Sequence, residues 1–92
     1  MIFAKETTMR AQDILPDNIN QVEVNDVAVR KGTVGAFLIN ARLWLKPGAT
    51  AEERELTEQD ILDALPALVA LGLFDFLSIR DPKLREFVAM HL

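Results

Sequence analysis

The stretch Gln21-Val22-Glu23-Val24-Asn25-Asp26-Val27-Ala28-Val29-Arg30 decides the fold. A two-residue turn at Asn25-Asp26 sets Val24 opposite Val27, Glu23 opposite Ala28 and Val22 opposite Val29. Side chains alternate along a strand, so this register puts all four valines on one face and Glu23 and Ala28 on the other. Agreement between turn position and face pattern is a stronger signal than β-propensity alone. Asn-Asp is a weaker turn former than Asn-Gly. A lone two-stranded hairpin is marginal in water, so this one is expected to lay its valine face on helices.

Downstream, Gly32-Thr33 switches the period from strand to helix. Thr33 reads as an N-cap, and no proline interrupts the chain until Pro47. Projected at about 100° per residue, Val34, Phe37, Leu38, Ala41, Trp44 and Leu45 fill one wide apolar arc. Ala36, Ile39 and Leu43 fill a second. A helix apolar on two faces is buried from two directions. Either it is the central helix of the domain, or its second face, with Ile39 and Leu43, meets another chain.

Lys46-Pro47-Gly48-Ala49 forms a loop, followed by two candidate helix starts at Thr50 and Thr57. The first carries a capping box, with Glu53 three residues after Thr50. Ile61, Leu62, Leu65, Leu68 and Val69 form one stripe opposite Gln59 and Asp63. Pro66 sits inside that stripe, where a kink or break is expected. The pattern leaves open whether 50–72 is one helix or is broken at Thr57 or Pro66. Gly72 reads as a helix stop with Leu73 packing back on Leu68. Leu73, Phe74, Phe76 and Leu77 then form a short apolar plug. Asp81-Pro82 opens a last helix, with Leu84, Phe87, Val88, His91 and Leu92 on its inner face. The N-terminal segment 1–20 is the least periodic; 8–15 reads as a short helix ended by Pro16, with a turn at 16–18, and loose order is the alternative. The expected class is α+β: an N-terminal β-hairpin followed by three to four helices packed on one side, in a single domain over 1–92.

Composition narrows the chemistry. The chain has 92 residues, half of them apolar and 26% charged, which is globular composition. Without cysteine there is no disulfide, no thiolate nucleophile and no cysteine-built metal site. Charges cancel over 1–45, so the whole net charge of −4 lies in 46–92. An acidic chain without a basic stripe is a poor partner for nucleic acid or anionic membranes. The apolar runs 34–45 and 64–74 are too short to span a bilayer and are interrupted by Asn40, Arg42 or Pro66. The opening residues lack a basic region leading into an apolar run, so no signal peptide is expected, and a cytoplasmic location is the default.

Each chemical motif has a structural explanation. His91 falls in the last turn of a helix, where capping or packing suits it. The acids Glu52, Glu53, Glu55, Glu58, Asp60 and Asp63 lack the alternating spacing and turn glycine of a calcium loop and read as a solvated face. Gly32-Thr33-Val34-Gly35 lacks the lysine and spacing of a phosphate loop, and Gly35 reads as a site of close packing. Trp44 and the phenylalanines read as core. Phe74 and Phe76 lie two residues apart and cannot share one core face in a helical plug, so one is free for a partner. No catalytic residue, cofactor or metal ligand emerges.

The hairpin running into Gly32-Thr33-Val34, the helix containing Leu38 and Asn40, and Pro66-x-Leu68-Val69-x-x-Gly72-Leu73-Phe74 together resemble a group of small uncharacterised bacterial proteins. The resemblance covers roughly residues 22–77, although 46–57 is longer here. Its motifs are a cap, a kink and a stop, and it implies no activity. The expected function is therefore a non-enzymatic protein-interaction module, a homodimer or a binder of another protein, with Ile39, Leu43, Phe74 and Phe76 at the interface. The alternative is a small-ligand module with its pocket between hairpin and helices, with polar groups around Asn40 and Arg42. A metal-independent hydrolase comes third.

Overall fold

In the computed structural model, which describes residues 20–92, β1 (Gln21–Val24) and β2 (Val27–Arg30) pair antiparallel with Val24 opposite Val27 and Val22 opposite Val29. The helix read over 8–15 and the turn at 16–18 lie outside the described residues. Asn25 and Asp26 both take positive φ, 49° and 66°. Such a pair is the signature of the tight turn whose twist matches the strands. Val29 is buried and the other three valines are half-buried, while Glu23 and Ala28 are exposed. The turn is also tied down from outside, because Asn25 Nδ2 donates to the Ala70 carbonyl at 2.9 Å.

Left-handed backbone at Asp26 disfavours a side chain, and glycine there removes the clash while making the unfolded chain more mobile. Asp26→Gly is expected to stabilise by a net ~0.5 kcal/mol, raising the melting temperature by about 2–4 °C. A thermal melt that moves down instead would show that the Asp26 side chain itself holds the turn.

Helix α1 (Thr33–Trp44) starts one residue differently from expectation. Gly32 occupies the cap position at φ 85°, and the Thr33 hydroxyl donates to the Arg30 carbonyl at 2.7 Å. The chain must reverse sharply from β2 into α1, and only a glycine takes that left-handed turn without strain. Phe37 and Ala41 are buried, with Trp44 and Leu45 half-buried beside them. The wide arc is narrower than its composition suggests: Val34 and Leu38 are exposed. One step of about 100° past Phe37 carries Leu38 off the line of contact. Gly35 is not a close-packing site, since a Cβ built there meets nothing within 4 Å among the described residues.

Helix α2 (Ala51–Leu71) is continuous through both Thr57 and Pro66. Its capping box is complete, with Thr50 Oγ1 accepting from the Glu53 N–H at 3.0 Å and Glu53 Oε1 accepting from the Thr50 N–H at 2.9 Å. Thr57 starts no second helix; its buried hydroxyl donates back to the Glu53 and Arg54 carbonyls, at 3.1 and 3.0 Å. Pro66 is exposed and removes one backbone hydrogen bond, a loss of about 3 kcal/mol. Ile61, Leu65 and Leu68, all buried, flank it on both sides and hold the helix through it. Val69 lies outside this stripe and is exposed, whereas Ala67, absent from the expected stripe, is buried.

Gly72 ends α2 at φ 80°, its N–H donating to the Leu68 and Val69 carbonyls. The plug is a single turn, α3 (Leu73–Phe76). Helix α4 (Pro82–Ala89) is capped by Asp81, whose Oδ1 accepts from the Lys83 and Leu84 N–H groups at 2.9 and 3.0 Å. Leu84 and Val88 enter the core and Phe87 packs against it, but His91 and Leu92 lie past the helix end and are exposed. The class is α+β, a hairpin followed by four helices. Phe37, Ala41, Ile61, Leu65, Leu68, Leu84 and Val88 form the core where α1, α2 and α4 meet. Among the described residues no helix is long and apolar enough to cross a membrane.

Candidate functional site

Ile39 and Leu43 lie one turn apart on the side of α1 turned away from Phe37, and they are 61% and 45% exposed. The chain returns through 45–50, so α2 runs back along α1. Leu43 therefore shares a crevice of about 190 Å³ with Lys46, Ala49, Glu53, Leu56 and Thr57. Leu56 is itself 65% exposed. It adds a third large apolar side chain to the pair, contributed by the neighbouring helix.

Leu56 was missed from sequence, although a signal existed. It stands alone between Glu52-Glu53-Arg54-Glu55 and Thr57-Glu58-Gln59-Asp60, a lone large apolar residue on an otherwise polar first half of a helix. A solvated acidic face has no use for it.

Charge is sorted across this patch. From Val27 to Ala51 every charged residue is basic: Arg30, Lys31, Arg42 and Lys46. From Glu52 to Asp63 six acids stand against Arg54 alone. Arg42 follows Ile39 by three residues on α1, and Lys46, just past the helix end, lines the crevice with Leu43, so both lie beside the apolar pair. Glu52 and Asp60 bracket Leu56 four residues to either side. The α1 border is thus basic and the α2 border acidic. Glu53 has its own role: the Thr50 N–H holds its carboxyl below the usual carboxylate range against the opposing effect of desolvation, with smaller help from the Thr50 hydroxyl and the Lys46 charge.

The two plug phenylalanines separate. Phe74 turns inward, edge-on to Phe37 with ring centroids 6.4 Å apart. Phe76 is 88% exposed. Trp44 is structural: it stacks on Phe87 at 5.1 Å, its Nε1 donates to Glu58 Oε2 at 2.9 Å, and the Arg54 guanidinium lies 5.9 Å from its ring. It joins α1, α2 and α4.

Two larger open grooves are lined by described residues. One, of about 540 Å³, runs between the hairpin, α1 and α2, with Ala36, Ala64 and Ala67 beneath Gln21, Arg30, Asn40, Asp60 and Asp63. Asn40 is joined there by Arg30, whereas Arg42 does not line the groove. The other, of about 700 Å³, is apolar and lined by Val27, Leu62, Pro66, Val69 and Phe74, with Asp75 and His91 on its wall. His91 Nδ1 lies 2.9 Å from the Phe87 carbonyl, which only accepts, so that nitrogen carries the proton. The ring also packs on Phe87 at 4.9 Å. This is the capping and packing geometry expected of it. Among the described residues no three His, Cys, Asp or Glu side chains gather as a metal site.

No known protein family, curated protein or solved structure matches the chain. The resemblance noted from residues 22–77 therefore rests on its cap, proline and stop motifs alone.

Proposed function

We propose that the protein is a non-enzymatic interaction module that self-associates through Ile39, Leu43 and Leu56. The observation that carries this reading is the placement of three large aliphatic side chains more than 40% exposed: Leu43 and Leu56 meet in one crevice across two packed helices, and Ile39 lies one turn from Leu43. Single exposed leucines are ordinary, but a grouped apolar patch with a polar border is what interfaces present. Among the described residues the patch lies outside the core, to which α1 contributes Phe37 and Ala41, with Trp44 packed against it. Light scattering across a concentration series tests it. The expected mass is twice that of the 10.3 kDa chain, falling toward one chain on dilution. A monomer at the highest attainable concentration rejects self-association.

A second reading, a small-ligand module, is favoured by the groove that gathers Arg30, Asn40, Asp60 and Asp63 between hairpin and helices. Its volume lies within the range of about 300–1,000 Å³ usual for ligand sites. Native mass spectrometry of the purified protein separates the two readings: a retained small molecule supports this one, and a bare dimer supports the first.

A further inference from the structure

We infer that the second copy docks with its α1 on the first copy's α2, about a two-fold axis running along the seam between the two helices. This rests on the self-association proposed above and adds the orientation, which is argued from charge. An apolar patch astride two antiparallel helices admits two simple two-fold arrangements. An axis across the seam lays α1 on α1 and α2 on α2. The basic border with Arg42 and Lys46 would then face the same basic border, and Glu52 of one copy would face Asp60 of the other. An axis along the seam exchanges the helices, so that each basic border meets an acidic one. The pattern is self-complementary only in the second case. An isologous interface uses every contact twice, so both the mismatch and the match are doubled.

The apolar residues fit the same arrangement. With the helices exchanged, Ile39 and Leu43 of one copy lie over Leu56 of the other, and the charged borders close around them. Apolar contact supplies the attraction, while the borders set the register and reject the alternative, since like charges juxtaposed at an interface are strongly disfavoured. Glu53 also lines the crevice, but its carboxylate accepts from the Thr50 N–H in the capping box, so it is left unaltered in the test.

Two charge-reversed chains test this. One carries Arg42→Glu with Lys46→Glu; the other carries Glu52→Lys with Asp60→Lys. All four side chains are exposed, and none makes the capping box. Circular dichroism and thermal melts establish that each variant folds. Each alone is expected to raise the dimer dissociation constant roughly 100-fold, because its borders have become alike. Mixed one to one, the two should recover wild-type affinity, since acidic α1 then meets basic α2 and basic α1 meets acidic α2. Preferential pairing of the first variant with wild type would instead reveal α1 on α1 and overturn the orientation. So would a wild-type dimer indifferent to both variants, with the self-association reading left standing. A wild-type monomer removes both readings together.

Discussion

Phe37→Ala is expected to destabilise the fold by about 3–5 kcal/mol, the sum of lost transfer energy and the cavity left behind. Phe37 is 4% exposed and lies in one cluster with Ala41, Ile61, Leu65 and Leu68. It is also the ring against which Phe74 sets its edge. Removing it therefore opens the α1–α2 contact and withdraws the support of the one-turn plug at the same time. A domain of this size has roughly 5–15 kcal/mol of total stability, so the variant should be near the limit of folding at 37 °C. Phe76→Ala is the matched control. Phe76 is 88% exposed, and its loss should stay within about 0.5 kcal/mol. Urea melts of both proteins, compared at unchanged slope, give the two differences. A cost below about 1 kcal/mol for Phe37→Ala would mean that α1 turns another face to the core.

How much of this was legible in the sequence depends on how local the deciding physics is. The hairpin register follows from two turn residues and a period of two, and both lie within ten residues of chain. The capping box at Thr50, the stop at Gly72 and the Asp81-Pro82 start are similarly local. Each was readable because a particular backbone group needs a particular side chain or a left-handed glycine. The misplaced features all depend on what lies opposite. Thr33 looks like a cap until the sharp exit from β2 requires Gly32 in that position. Leu38 and Val69 look like core because they are apolar at nearly the right angle, but a contact line between two helices is narrower than an apolar arc. Pro66 looks like a break until the burial of Ile61, Leu65 and Leu68 is set against a single lost hydrogen bond. His91 and Leu92 continue the period of α4 on paper, although the helix ends at Ala89.

The candidate site was half legible for the same reason. Ile39 and Leu43 show as an unexplained second arc on one helix. Their companion Leu56 is thirteen residues further along, on a helix whose antiparallel packing brings it alongside. Charge sorting between the two borders takes meaning only once α1 and α2 are side by side.

If the protein self-associates as proposed, Leu43→Lys should convert it to a folded monomer. Leucine and lysine have similar helix propensities, and Leu43 faces away from Phe37 and Ala41, so α1 itself has little to lose. Across an apolar contact, however, the ammonium group would be taken out of water without a partner, and it would sit beside Arg42 and Lys46. Loss of association by several orders of magnitude is the expected outcome. Exposure alone predicts nothing of the kind, because Leu38 on the same helix is 59% exposed against 45% for Leu43. Leu38→Lys should therefore leave the mass unchanged, and the two substitutions differ only in direction around one helix. Folding and association are coupled when a dimer is tight, so mass alone does not distinguish dissociation from unfolding. The melting temperature resolves this. In wild type it should rise with protein concentration; in Leu43→Lys it should be lower, cooperative and independent of concentration. If Leu38→Lys dissociates the protein while Leu43→Lys does not, the interface lies on the flank of α1 that carries Val34 and Leu38, and the charge-sorted patch is only surface.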